Sequence, residues 1–167
     1  DNFCTYCIVP YVRGRETSRE IKDIVNEVKM VVDNGAKEVT LLGQNVNSYG
    51  KGLKNDVNLA ILLETLSSID KLDRIRFITS HPKDMSEDIL RAIKDNPKVC
   101  KYLHLPAQSG SDRILTKMNR KYTSSYYRDL VSRARELIPN VSISSDFIIG
   151  FPGEGDKDFD ETVKNIK

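Results

Sequence analysis

Short β-rich stretches alternate with amphipathic helical stretches along the whole chain, and this order constrains the fold more than any single residue does. Ile21, Ile24, Val25, Val28, Val31 and Val32 recur at the spacing of one helix face until Asn34-Gly35 stops the run. Thr17 and Glu20 predict a capping box ahead of it. Residues 38–42 follow as a strand, then a Gly/Asn-rich loop over 43–58, then a helix marked by Leu59, Leu62, Leu63, Leu66 and Ile69. The unit recurs with a strand over 74–79 and a helix capped by Ser86, with Ile89, Leu90 and Ile93 on one face and Asn96-Pro97 at its end. Residues 99–105 read as a third strand. Tyr126, Tyr127, Leu130, Val131, Ala134, Leu137 and Ile138 give a long helix closed by Pro139. A fourth strand over 141–149 leads through Gly150-Phe151-Pro152-Gly153 into a helix carrying Phe159, Val163 and Ile166.

Connections of this length between alternating elements imply parallel strands joined by right-handed crossovers, in an open doubly wound sheet or a barrel. Four strands cannot close a barrel. The expected fold class is therefore α/β, a partial (β/α) barrel with parallel strands, truncated at both ends, with its first strand ahead of residue 1 and its last strands beyond residue 167. The 167 residues suit one domain. A hydrophobic content of 39% and a charged content of 30% are those of an ordinary globular chain, and the formal charge of +2 does not by itself point to nucleic acid. No apolar run approaches the roughly 18 to 20 residues of a membrane span. Asp1-Asn2-Phe3 carries neither a basic leader nor an apolar signal core, so the expected location is cytoplasmic and no membrane partner is expected.

In parallel α/β architectures the chemistry gathers at the carboxyl ends of the strands, where loops bring side chains from several strands together. Here those ends read Gly43-Gln44-Asn45, Ser80-His81-Pro82, Pro106-Ala107-Gln108-Ser109-Gly110, and Asp146-Phe147-Ile148-Ile149-Gly150. Each alone is ordinary loop or turn chemistry. All four together on one sheet edge mark a candidate site, with glycines that let a ligand approach the backbone.

Three cysteines in a chain of this size do not make a secreted disulfide framework. Cys4-Thr5-Tyr6-Cys7 brings two thiolates within reach of one metal centre, and thiolate is the soft ligand favoured by zinc, copper(I) and iron–sulfur clusters. The same spacing occurs in thioredoxin-like redox pairs, which sit at a helix start; here Pro10, Arg13 and Gly14 extend the loop before a helix begins. Two thiolates are too few to close a site. Cys100, in the third strand, is expected to be a buried, inert thiol.

The run from Cys4 to Gly14 resembles the cluster loop of the radical S-adenosylmethionine (SAM) methylthiotransferases, whose cysteines are spaced CxxxCxxC; by that pattern the first would stand directly before Asp1. Leu41-Leu42-Gly43-Gln44-Asn45-Val46-Asn47-Ser48-Tyr49 is similar to the branch acting on isopentenyl-adenosine beside the tRNA anticodon. Thr79-Ser80-His81-Pro82, His104-Leu105-Pro106 with Gln108-Ser109-Gly110-Ser111, and 145–154 agree with that branch. Branches acting on a ribosomal protein or on threonylcarbamoyl-adenosine rank behind it, and a non-catalytic zinc- or RNA-binding module is the competing class. The likeness runs from Cys4 to the end, with Ala107 where valine is commoner.

The resemblance implies a [4Fe–4S] cluster held by three cysteines, Cys4 and Cys7 among them, with one iron open to SAM. A deoxyadenosyl radical then takes hydrogen from carbon 2 of the target adenine. It implies Gln44 near the methionine amino group, Gln108 and Ser109 at the ribose, and Ile148 to Gly150 behind the adenine. Ser80 and Asp146 join them as strand-end groups. Arg120 is a candidate partner of the methionine carboxylate, because guanidinium matches its two oxygens, or else an exposed loop arginine. Arg13, Arg15 and Arg19 face either tRNA phosphate or solvent. The family further implies a second cluster on an N-terminal domain, a C-terminal RNA-binding β domain, both expected outside 1–167, and a reductant protein. The fragment alone is expected to show little turnover.

Overall fold

The computed structural model describes residues 1–54 and 56–166; Asn55, inside the loop expected over 43–58, and Lys167, at the end of the expected domain, lie outside the described residues. The order is α1 (Val9–Arg13), α2 (Ile21–Asp33), β1 (Glu38–Leu41), α3 (Leu59–Ser67), β2 (Arg74–Phe77), α4 (Glu87–Asp95), β3 (Tyr102–His104), α5 (Asp112–Lys117), α6 (Ser124–Leu137), β4 (Ser142–Ser144) and α7 (Asp156–Ile166).

All strand pairing is parallel among the described residues. β1 pairs β2 from Glu38 opposite Arg74 to Leu41 opposite Phe77, and β3 pairs β4 from Tyr102 opposite Ser142 to His104 opposite Ser144. These are two small sheets. A parallel bridge between Ile75 and Val99 links β2 to the approach to β3: the Ile75 amide donates to the Lys98 carbonyl at 2.8 Å, and the Cys100 amide to the Ile75 carbonyl at 3.0 Å.

The strands are shorter than the β-rich runs, for local reasons. The second leaves the sheet after Phe77 because Thr79 turns to φ 68°, and its carbonyl receives the Val46 amide from the loop after β1. Between Val99 and β3 the Tyr102 amide folds back onto the Cys100 carbonyl at 2.8 Å, a contact two residues apart that kinks the backbone out of the ladder. Cys100, at that kink, is half-buried rather than buried.

Three helices start on a side-chain cap, and α1, α2 and α5 do not. Asn58, Ser86 and Thr123 accept amides of the first turns of α3, α4 and α6. The box expected from Thr17 and Glu20 does not form: Glu20 caps α2 without a side-chain bond, and Ser18 instead accepts the Gly50 amide at 3.0 Å. The approach to α2 is spent on docking the loop after β1, where Tyr49 also donates to the Arg19 carbonyl. A short α1 stands where a loop was expected, with Pro10 in its first turn, and it buries no residue, so it has no apolar period to read.

The core lies where α3, β2, α4 and β3 meet, with Leu59, Leu63, Leu66, Ile75, Ile89 and Leu103 almost wholly excluded from water. Each such side chain contributes about 1.5 to 3 kcal/mol by burial. Helix α7 departs from its apolar reading. Phe159 and Ile166 are 43% and 59% exposed, whereas Asp158 and Thr162 are its buried residues. Polar bonds to the loop before α5 hold it: Asp158 accepts from Ser111 at 2.7 Å and pairs with Arg113, and Thr162 accepts the Gly110 amide at 2.9 Å.

Candidate active site

Loops from three of the four strand ends and the cysteine loop wall one cavity of about 470 Å³, within the size range of small-molecule sites. Cys4, Cys7, Gln44, Ser80, Gln108 and Arg120 all line it. Ser109, Asp146, Ile148 and Gly150 are not among the residues that line it. Ser109 is buried against Thr162 and accepts the Ser111 amide, so it fixes the loop. The Ile148 amide donates to the Gln108 carbonyl at 2.9 Å. The Gly150 amide is held by the Glu154 carboxylate. Asp146, with its side chain 66% exposed, reaches the wall through His104, whose Nε2 lies 3.2 Å from Oδ2.

The cysteine loop is seated on the turn after α5. The Cys7 amide donates to the Cys4 carbonyl at 3.0 Å, the Thr5 amide to the Met118 carbonyl at 3.1 Å, and Asn119 Nδ2 to the Phe3 carbonyl at 2.7 Å. Asn119 adopts φ 58°, a left-handed conformation that asparagine tolerates. The turn then delivers Arg120 into the interior, where it is 8% exposed rather than a surface loop residue. Its Nε donates to Tyr122 Oη at 2.9 Å, Nη2 to the Pro106 carbonyl at 2.9 Å, and Nη1 to Tyr6 Oη at 3.3 Å and to Cys4 Sγ at 3.5 Å. Burial pushes the Tyr122 hydroxyl up to about 12, so it stays neutral and donates to the Ala107 carbonyl at 2.9 Å.

Two further loops adjoin this wall. Asn47 clamps His81 by donating to its carbonyl and accepting its amide, each at 2.9 Å. His81 Nδ1 accepts the Lys83 amide and the ring packs edge-on to Tyr122, with centroids 5.7 Å apart. Burial first, and the Arg120 charge second, lower its pKa to about 3, so the imidazole is neutral. Asn45 Nδ2 donates to Asp84 Oδ2 at 2.6 Å while Lys51 holds Oδ1 at 3.0 Å. Burial raises the Asp84 pKa, but the hydrogen bonds from Lys51 and Asn45 and the Lys83 charge outweigh it, and the net shift is downward. Gln108 sits at φ 68°, strained for a non-glycine residue, which is characteristic of functional loops.

Two buried polar atoms at this cavity have no hydrogen-bond partner, Asn45 Oδ1 and Ser80 Oγ. Unpartnered buried groups are rare and destabilising, and both belong to residues that line the cavity. A family model described as the Radical SAM superfamily matches residues 1–166.

The chain belongs to the radical SAM superfamily.

It is 57% identical over all 167 residues to a protein of Clostridium botulinum (strain Alaska E43 / Type E3) named tRNA-2-methylthio-N(6)-dimethylallyladenosine synthase. Proteins of the same name from Clostridium tetani (strain Massachusetts / E88) and Clostridium beijerinckii are 58% and 59% identical over the same length. The chain spans 37% of the length of each of these relatives. Radical SAM proteins use a [4Fe–4S] cluster with SAM, and the residues present fit that pair: two cysteines line one cavity together with the amide and hydroxyl residues Gln44, Asn45, Ser80 and Gln108. Among the described residues no group of three His, Cys, Asp or Glu side chains is placed to hold a metal ion.

Asn45 and His81 lie in strand-end runs that the sequence marks, though without a role of their own, whereas His104, Tyr6 and Tyr122 are not singled out as site residues from the sequence. The signal for His104 was there: Tyr102 and His104 alternate on one strand face, and both meet Ser144, at 2.7 and 2.8 Å. Tyr6 and Tyr122 carry no such signal, because their roles depend on where Arg120 is buried.

Proposed function

We propose that this radical SAM domain is the catalytic core of an enzyme that methylthiolates carbon 2 of N6-dimethylallyl (isopentenyl) adenosine in the anticodon stem-loop of tRNA. The observation that carries the proposal is 57–59% identity along the whole chain to proteins bearing that synthase name.

In this reading Cys4 and Cys7 would hold the cluster, with a third thiolate at the position directly before Asp1 as the CxxxCxxC spacing implies. When bound, cluster and SAM supply one-electron cleavage of a carbon–sulfur bond and, from it, radical hydrogen abstraction. Gln44, Ser80 and Gln108 orient SAM from the cavity wall. Arg120 stands beside the same volume. Ser109 and Ile148 hold the loop that carries Gln108, Gly150 shapes the turn that follows β4, and Asp146 orients His104. The neutral His81 and the Tyr122 ring exclude water from one side.

The two small sheets belong to one partial barrel; the Ile75–Val99 bridge, which links β2 to the approach to β3, supports that arrangement. A second cluster domain, an RNA-binding β domain and docking for a reductant protein belong to other parts of a longer, cytoplasmic protein. No helix among the described residues is long and apolar enough to cross a membrane.

The test uses the full-length protein with its clusters reconstituted, SAM, a low-potential reductant and tRNA carrying dimethylallyl-adenosine. Mass spectrometry of the digested nucleosides is expected to show the methylthio product, and Cys4→Ala is expected to abolish it. Transfer only to a ribosomal protein or to threonylcarbamoyl-adenosine, or stoichiometric zinc in place of labile iron, would overturn the assignment.

A further inference from the structure

Arg120 is a buried cation in search of an anion. The residue is 8% exposed, and among the described residues no carboxylate forms an ion pair with it. A buried charge left uncompensated carries a large desolvation penalty, so the fold must supply a counter-charge. Four acceptors surround it: the Pro106 carbonyl, Tyr122 Oη, Tyr6 Oη and Cys4 Sγ. A carbonyl is never anionic, and phenols titrate near 10. The sulfur is the one acceptor that becomes an anion in working conditions, because a ligating cysteine is a thiolate.

We propose that Arg120 is the counter-charge of the Cys4 sulfur and raises the reduction potential of the cluster that Cys4 holds. This rests on the cluster reading given above. Reduction adds one electron from a low-potential donor to the cluster, with no bond made or broken. A fixed positive charge 3.5 Å from a ligand sulfur favours the more negative, reduced state, and hydrogen bonds to cluster sulfurs raise the potential in the same sense. The geometry gives Cys4 this partner through the same turn that docks the cysteine loop, since Thr5 and Phe3 are tied to residues 117–119. The same contacts set Arg120 apart from a carboxylate clamp. Bonds to four acceptors leave one of its five N–H groups free, and a bidentate grip needs two parallel donors.

The experiment compares the full-length wild type with Arg120→Gln, which keeps a donor and loses the charge, and Arg120→Lys, which keeps the charge. Cluster potential is read by EPR-monitored titration with dithionite and mediators in the absence of SAM, and SAM affinity is read separately. Arg120→Gln is expected to lower the reduced-to-oxidised ratio at fixed potential about tenfold, a midpoint about 59 mV more negative for a one-electron couple. Arg120→Lys is expected to keep more than half of the wild-type ratio, and SAM affinity to change less than about threefold in both. An unmoved potential in Arg120→Gln, with or without weakened SAM binding, overturns the proposal, as does equal loss of iron from both variants, which marks a packing role. Loss of iron from Arg120→Gln alone supports it. If the wild type itself holds no reducible cluster, the cluster reading fails instead.

Discussion

Gly110→Ala tests how α7 is seated on the loop that carries Gln108. A Cβ at Gly110 would meet the Glu161 carbonyl oxygen at 2.5 Å and Thr162 Cα at 2.6 Å. Both are backbone atoms of a helix, so no rotamer change relieves the contact. Ordinary contact begins near 3.4 Å, so the helix must recede by roughly 0.9 Å. That displacement takes the Gly110 amide to Thr162 Oγ1 bond, now 2.9 Å, out of hydrogen-bonding range, and it strains the neighbouring Ser109–Thr162 contact of 3.3 Å. Overpacking costs about 1 to 3 kcal/mol and the lost bond about 1 kcal/mol more. A total near 3 kcal/mol corresponds to a Tm lower by roughly 6 to 12 °C for a domain of this size. Thermal unfolding followed by circular dichroism measures it, with Gly43→Ala as the control. There the added carbon finds nothing nearer than 3.6 Å, and the change is expected within about 0.5 kcal/mol. If Gly110→Ala melts within 2 °C of the parent while Gly43→Ala does the same, α7 does not rest on this loop as described.

Three other outcomes follow from the site. Tyr122→Phe removes a hydroxyl that receives Arg120 Nε and donates to the Ala107 carbonyl, and should cost about 2 kcal/mol in urea unfolding. Tyr126→Phe, at a residue 41% exposed whose hydroxyl makes only a 3.5 Å contact, should cost less than about 0.5 kcal/mol. His81 has its folded pKa lowered to about 3 from 6.5, so between those values the unfolded chain binds a proton that the native one does not, and stability falls as pH falls. Urea unfolding at pH 7.5 and pH 5 should differ by roughly 2 kcal/mol, and His81→Gln should flatten that slope. Cys7→Ala in the full-length protein should lower bound iron and sulfide, whereas Cys100→Ser, with its thiol at the kink before β3, should leave them unchanged.

The alternation of periods two and 3.6 determined the parallel α/β class, because apolar spacing and crossover handedness are local properties that burial then enforces. It placed α2, α3, α4 and α6 to within a few residues, and it placed Gln44, Ser80 and Gln108 on one edge because strand polarity sends every carboxyl end the same way. The sequence did not determine which polar residues turn inward. Residues 106–110 read as one run, yet Gln108 faces the cavity while Ser109, its neighbour, is turned onto Thr162 of α7, 53 residues further on. Helix α7 buries a threonine and an aspartate in place of its phenylalanine, since Arg113 and Ser111 arrive from a distant loop to satisfy them. Arg120 read as a surface arginine or a ligand clamp. Only the packing of the cysteine loop on the turn after α5 buries its charge against a sulfur 116 positions away. Long-range partners decide the fate of a polar side chain, because burial is tolerable only where a matching group from another part of the chain is waiting.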